Sequence, residues 1–95
     1  MHGSVKPGSI RHRASRRFWQ RYNALPPEVQ RLADSAYEML KTDTRHPSLQ
    51  LKIVGSYWSV RVGLHYRALS IQEGDDLVWF WIGHHSEYDR LIGAR

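Results

Sequence analysis

The chain has no cysteine. Disulfides and zinc–thiolate centres are therefore excluded, and nothing in the composition asks for an oxidising compartment. It also lacks any apolar run near the roughly 18 residues that a membrane-spanning helix needs. No apolar signal core stands at the N-terminus, so a cytoplasmic location is expected rather than secretion. Acidic residues are scarce at first: none precedes Glu28, whereas Lys6, Arg11, Arg13, Arg16, Arg17 and Arg21 all do. Glycine and proline, at 7 and 4 residues, are too few for a disordered or fibrous chain.

What is present suits one compact domain. The chain has 95 residues, of which 41% are hydrophobic, and its four Trp, five Tyr and two Phe supply large surfaces to bury. The net charge of +5 and the clustered arginines favour a polyanion or an acidic protein partner. Arg16, Arg17 and Arg21, on one predicted helix, are the RNA-binding candidates of that segment.

Residues 1–13 read as a flexible lead-in, with room for a short strand around 10–13, and residues 14–95 as the single domain. From Ala14, the positions Phe18, Tyr22 and Leu25 have helical spacing, and Pro26-Pro27 ends that helix. Pro27 then opens a second helix. Its stripe Val29, Leu32, Ala33, Ala36, Tyr37 and Leu40 predicts a helix over 27–42, so the two helices form a hairpin. After Pro47 the period falls to two. Leu49, Leu51 and Ile53 predict a half-buried strand, and Gly55-Ser56 a hairpin turn. Trp58, Val60, Val62 and Leu64 predict a second strand, with a bend near 63–65. A third strand follows over 66–72, then a turn at 73–76. Residues 77–82 are apolar on both faces, as in a covered strand that Gly83 ends, and a last helical turn is expected over 85–92. The predicted class is α+β: a helix hairpin on one face of a three- to four-stranded, mainly antiparallel sheet.

Lys52 and Arg61 fall opposite the apolar sets of their strands and predict a cationic sheet face. Arg67 alternates in phase with Leu69 and Ile71, so its face depends on where the bend falls. Metal-independent RNA cleavage needs a group to take the 2′-OH proton, one to protonate the leaving oxygen, and cations on the phosphate. Lys52, Arg61 and Arg67 are the candidates for the last task. His84, His85 and Tyr88 stand just after the last strand as candidates for proton transfer, with His65 and His46 behind them. Asp89 could orient a histidine. Tyr57, Tyr66 and Trp58 could stack on splayed bases. Each has a plainer reading: His85 as a helix cap, His46 as a turn residue, Lys52 and Arg61 as solvated cross-strand neighbours. The His84-His85 pair has no third ligand at convincing spacing, so no metal site and no cofactor are expected.

Several segments together resemble a known family: Leu25-Pro26-Pro27-Glu28-Val29, Arg45-His46-Pro47-Ser48-Leu49, Trp58-Ser59-Val60-Arg61-Val62, Tyr66-Arg67-Ala68-Leu69, Trp79-Phe80-Trp81-Ile82-Gly83, and His85 with Glu87-Tyr88-Asp89-Arg90-Leu91. In this order and spacing, from about Phe18 to Leu91, the chain resembles the RelE/ParE toxin superfamily, in particular its HigB/RelE-like branch. The resemblance implies a bacterial toxin of a type II toxin–antitoxin pair, with an antitoxin as partner. It implies a ribosome-dependent mRNA endonuclease that inhibits translation, with ribosome and mRNA as further partners and no membrane. The alternatives are a DNA gyrase inhibitor without chemistry of its own and an inactive homologue that only binds. Lys52, Arg61, Arg67, His85 and Tyr88 would be the catalytic set, with Arg16, Arg17, Arg21 and His84 on RNA. One departure stands out. The strands carry few basic residues, and much of the positive charge lies in the N-terminal segment and first helix.

Overall fold

The structure is a computed structural model and describes residues 10–93. The element order is β1 (Arg11–Ala14), α1 (Arg16–Asn23), α2 (Pro27–Thr42), a 3-10 turn (Pro47–Leu49), β2 (Lys52–Val54), β3 (Tyr57–Val62), β4 (Tyr66–Glu73), β5 (Asp76–His84) and α3 (His85–Leu91). The mixed α+β class predicted above is the observed one. The lead-in expected over 1–13 lies outside the described residues up to residue 9.

The sheet has five strands in the order β1-β5-β4-β3-β2. Four form the expected antiparallel meander, and β1 adds a parallel edge against β5, with Arg11 opposite Asp76 and Ala14 opposite Trp79. The short strand anticipated near 10–13 is thus real and belongs to the sheet. Ala14, assigned above to the first helix, is its last residue. Ser15 then caps α1, its Oγ accepting the Phe18 amide at 3.2 Å. Arg11 and Arg13 pair with Asp76 and Glu73 across this edge, so much of the N-terminal charge is neutralised within the fold. A short charged edge of this kind also discourages further strand addition.

Helix α2 runs from Pro27 to Thr42, as predicted, and buries Val29, Ala33, Ala36 and Leu40, whereas Leu32 and Tyr37 of the same stripe are exposed. Ala33, Ala36 and Leu40 pack with Leu49, Val60, Val62, Ala68, Leu77, Trp79 and Ile82 into the larger core, to which Phe18 and Tyr22 of α1 add. On the other sheet face Leu69 and Trp81 pack against Tyr88 of α3, with Tyr57, Phe80 and Ile92 beside them. The last strand is apolar on both faces because both are covered. A register shift at Leu69/Ser70 sets this division: Leu69 pairs with Trp81, but Ser70 pairs with Trp79, which leaves Phe80 as an extra residue. Strict alternation would send Trp79 and Ile82 to opposite faces. The bulge lets both enter the larger core while Trp81 enters the smaller.

Three expectations are corrected. The strand read from Leu49 onward starts only at Lys52, because Gln50 adopts a left-handed backbone (φ 46°) after the 3-10 turn. Leu49 is therefore turned inward, fully buried, while Ile53 on the edge strand is 63% exposed. Leu64 is not part of β3 and is exposed in the β3–β4 turn. Gly63 opens that turn with φ 64°, a backbone conformation that favours glycine, and a Cβ there would meet only the tip of the exposed Leu32 side chain. Finally, β5 does not stop at Gly83 but continues to His84. Leu49→Ala is expected to cost about 2–5 kcal/mol in urea unfolding. Ile53→Ala should stay within roughly 0.5 kcal/mol. Equal costs would restore the continuous alternating strand.

His12 lies between the sheet edge and α2. Its ring stacks on Trp79 and meets the edge of Tyr37. Its Nδ1 accepts the Trp79 indole N–H at 3.1 Å, which places the ring proton on Nε2, a buried atom without a partner. Burial lowers its pKa from the ordinary 6.5, since the charged form loses its hydration. The unfolded chain therefore binds this proton first as pH falls. Stability is full above the unfolded pKa and declines as pH drops below it towards the folded value. Thermal melts between about pH 7.5 and pH 5 should show a shallower decline for His12→Gln, which keeps an acceptor for Trp79. Parallel declines would remove His12 as the cause.

Candidate functional site

Strand pairing brings the predicted cations together. In the β3–β4 ladder Arg61 is the direct partner of Arg67, and in the β2–β3 ladder Lys52 is the partner of Ser59. The β3–β4 turn falls so that Arg67 shares the face of Arg61, which settles the ambiguity of its phase. Helix α3 crosses this face and adds His85, Tyr88 and Asp89. The result is a polar cleft of about 290 Å³ lined by Gln50, Lys52, Ser59, Arg61, Arg67, His85, Tyr88 and Asp89. All five residues named above as a catalytic set line it.

The two arginines are held by backbone carbonyls. Arg61 Nε donates to Gly63 O at 3.2 Å, and Arg67 Nη1 donates to Tyr66 O at 2.8 Å. Among the described residues, none of Lys52, Arg61 and Arg67 has an ion-pair partner. Like charges directly opposite one another in a ladder repel, so this pairing is unfavourable until an anion lies between them. The cleft thus gathers three cations without ion-pair partners, although the strands hold few basic residues.

Tyr88 is buried, and its hydroxyl lies 2.9 Å from Ser59 Oγ, where either oxygen can donate. His85 opens α3. Its backbone N–H donates to His65 O at 2.8 Å, tying the helix start to the β3–β4 turn. Its Nδ1 faces Asp89 Oδ2 at 4.0 Å, one helical turn on.

The cap expected of His85 is made by its neighbour. His84 is the N-cap of α3, its Nδ1 accepting the Ser86 amide at 3.2 Å and lying 3.0 Å from Ser86 Oγ. His84 does not line the cleft; it stacks with His65 and meets Tyr66 edge-on. His46 caps the 3-10 turn through Ser48. The N-terminal arginines do not line the cleft either. Arg21 lies over the Trp81 ring at 5.1 Å, donates to Ile82 O and pairs with Glu87. Arg17 shares a separate groove with Arg21 and Arg90, and Arg16 is exposed on α1. Of the three aromatics offered for base stacking, Trp58 and Tyr66 pack against the larger core and Tyr57 against Phe80.

Two cleft residues escaped the sequence reading. Ser59 is fully buried next to Tyr88, and nothing in the alternation distinguishes it from an ordinary polar strand position. Gln50 reaches the cleft through its left-handed turn, a conformation unusual for a side-chain-bearing residue and without a signal in composition. The third imidazole that the His84-His85 pair lacked in sequence comes from His65, in the β3–β4 turn. Ring nitrogens of the three lie within 4.8 Å of one another.

No curated protein sequence matches this chain at a significant level. Among solved structures, the chain is similar to the toxin fold in a RelB-RelE antitoxin–toxin complex from Methanococcus jannaschii, with 23% identity, a TM-score of 0.60, and coverage of 82% of this chain and 96% of that one. It is similar to a copper-bound mutant toxin from Helicobacter pylori at 15% identity and a TM-score of 0.60, covering 82% and 97%. It is also similar to the toxin–antitoxin complex RelBE2 from Mycobacterium tuberculosis at 20% identity and a TM-score of 0.55, covering 79% and 90%. These likenesses establish the shared fold. A family profile described as the ParE-like toxin domain matches residues 27–90, from the first residue of α2 into α3. The profile therefore takes in every residue that lines the cleft, and the chain belongs to the ParE-like toxin family.

Proposed function

We propose that this chain is the toxin of a toxin–antitoxin pair and that its cleft cuts mRNA on the ribosome without a metal cofactor. The observation that carries the reading is the placement of Arg61 opposite Arg67, beside Lys52, with His85 and Tyr88 on the same cleft. Such a site calls for an anion, and a ribose–phosphate strand supplies one next to a group able to exchange protons. In this reading a 2′-OH attacks the adjacent phosphate, the P–O5′ bond breaks, and the products are a 2′,3′-cyclic phosphate and a free 5′-OH. His85 Nε2 takes the 2′-OH proton and returns it to the leaving 5′-oxygen, with the Asp89 carboxylate 4.0 Å from its Nδ1. Tyr88, fixed by Ser59, positions the substrate. The arginine forks and Lys52 meet the charge that grows on the phosphate oxygens. The antitoxin is the expected protein partner, as two of the similar structures are toxin–antitoxin complexes.

The test is controlled expression in a bacterial host, followed by primer extension on actively translated transcripts. Growth arrest with new 5′ ends inside coding regions is the expected result. Arrest with intact transcripts, DNA-damage signalling and trapped DNA–gyrase complexes would replace this reading by the alternative of a gyrase inhibitor.

A further inference from the structure

We propose that His65, His84 and His85 form a binding site for a divalent first-row transition cation of the zinc type, and that its occupation silences the cleft. The three imidazoles come from the β3–β4 turn and the β5–α3 junction. A hydrogen bond from His85 N–H to His65 O, 2.8 Å, holds the two backbones together. The rings are already clustered: the His84 and His85 centroids are 4.4 Å apart, and His65 lies 6.2 Å and 6.1 Å from them. With Zn–N bonds of about 2.0–2.1 Å, three tetrahedral nitrogens stand roughly 3.3 Å apart. Their present separation of up to 4.8 Å closes by side-chain rotation alone, because His65 is exposed and the other two are partly so.

Imidazole is a borderline ligand that suits zinc, copper and nickel rather than magnesium or calcium. Asp89 Oδ2 stands 4.0 Å from His85 Nδ1, where a small side-chain rotation would make the carboxylate support that such ligands ordinarily have and leave Nε2 for the ion. His84 binds through Nε2 once its proton moves to Nδ1, where Ser86 Oγ stands 3.0 Å away to accept it. The Ser86 amide cap is then given up, so His84 is the most strained of the three ligands. Three protein ligands leave a fourth position open.

The binding claim stands by itself; the silencing rests on the nuclease reading, because the cation takes the Nε2 lone pair with which His85 would exchange a proton. The experiment has two arms. In the first, the full chain is titrated with zinc chloride by calorimetry, and with cobalt(II), whose visible spectrum reports tetrahedral nitrogen ligation. One equivalent should bind, and His65→Ala should weaken binding by about 100-fold, with its circular dichroism unchanged because the residue is exposed in a turn. Binding that survives in His65→Ala, or that is lost instead in His2→Ala or His46→Ala, overturns the site. In the second arm, zinc should suppress transcript cleavage by the parent chain. His65→Ala should cleave normally without zinc and resist it when present. Cobalt bound through His65 with cleavage unaffected overturns the silencing. A chain that binds cobalt through His65 but never cuts RNA removes the nuclease reading, and with it the silencing, and leaves the metal site standing.

Discussion

Arg67→Ala is expected to lower mRNA cleavage by about 10²–10³-fold, the usual cost of removing one charge-stabilising donor from an active site. The fold should hardly notice. Arg67 gives up one hydrogen bond to Tyr66 O, worth about 1 kcal/mol. Against that, the repulsion with its ladder partner Arg61 disappears, a relief of about 0.2–1 kcal/mol. Urea midpoints should therefore stay close to those of the parent while activity collapses. Arg67→Lys keeps the charge but not the planar fork, and should recover only part of the rate. Arg61→Ala is expected to behave in the same way, since the two side chains occupy equivalent places across the ladder. Full cleavage in both alanine variants would show that the phosphate is gripped elsewhere. A large loss of stability would mean that the pair is a structural element and not a site held ready for an anion.

His85→Ala should reduce cleavage by about 10²–10⁴-fold, the range in which positioned acid–base groups contribute. Asp89→Asn should give a smaller loss, because it removes only the orientation and charge behind Nδ1. The neighbouring His84→Ala separates chemistry from capping. His84 is the N-cap of α3, and losing a cap costs about 0.5–2 kcal/mol of stability. A metal-free preparation of His84→Ala should therefore melt earlier yet retain most of its cleavage per folded molecule. If growth arrest by His85→Ala equals that of the parent, the cleft performs no proton transfer. The toxin would then act by binding, as the gyrase alternative holds.

How far the sequence could be read depended on the range of the interactions involved. The bounds of helix α2 were legible, because its stripe runs from Val29 to Leu40 and Pro27 marks its start, although Leu32 and Tyr37 of that stripe are exposed. Strands β3 and β4 were legible from alternation and from glycine turns, and β5 from its unbroken apolar run. β1 was only a suggestion, because its four residues gain strand structure from a partner at Asp76–Trp79, far along the chain. The alternation Leu49-Leu51-Ile53 misled for a related reason. A single left-handed residue, Gln50, resets the direction of the chain, and neither its side chain nor its neighbours announce that. The bulge opposite Leu69 was equally silent. It depends on how three strands share two cores, not on the local pattern.

The same division runs through the candidate site. Residue chemistry and two-residue periodicity named Lys52, Arg61 and Arg67 and placed Lys52 and Arg61 on one face, and the resemblance singled out His85 and Tyr88 from a wider set of candidates. That information is local and therefore written in the chain. Whether Arg67 joined them, which histidine would cap α3, and whether the N-terminal arginines stayed free were decided by tertiary structure. Each depends on groups brought within a few ångströms by pairing and packing: the β3–β4 turn, the start of α3 against His65, and the acidic side chains of the β4–β5 region. Short-range electrostatics and hydrogen bonding act over distances that only the folded chain sets.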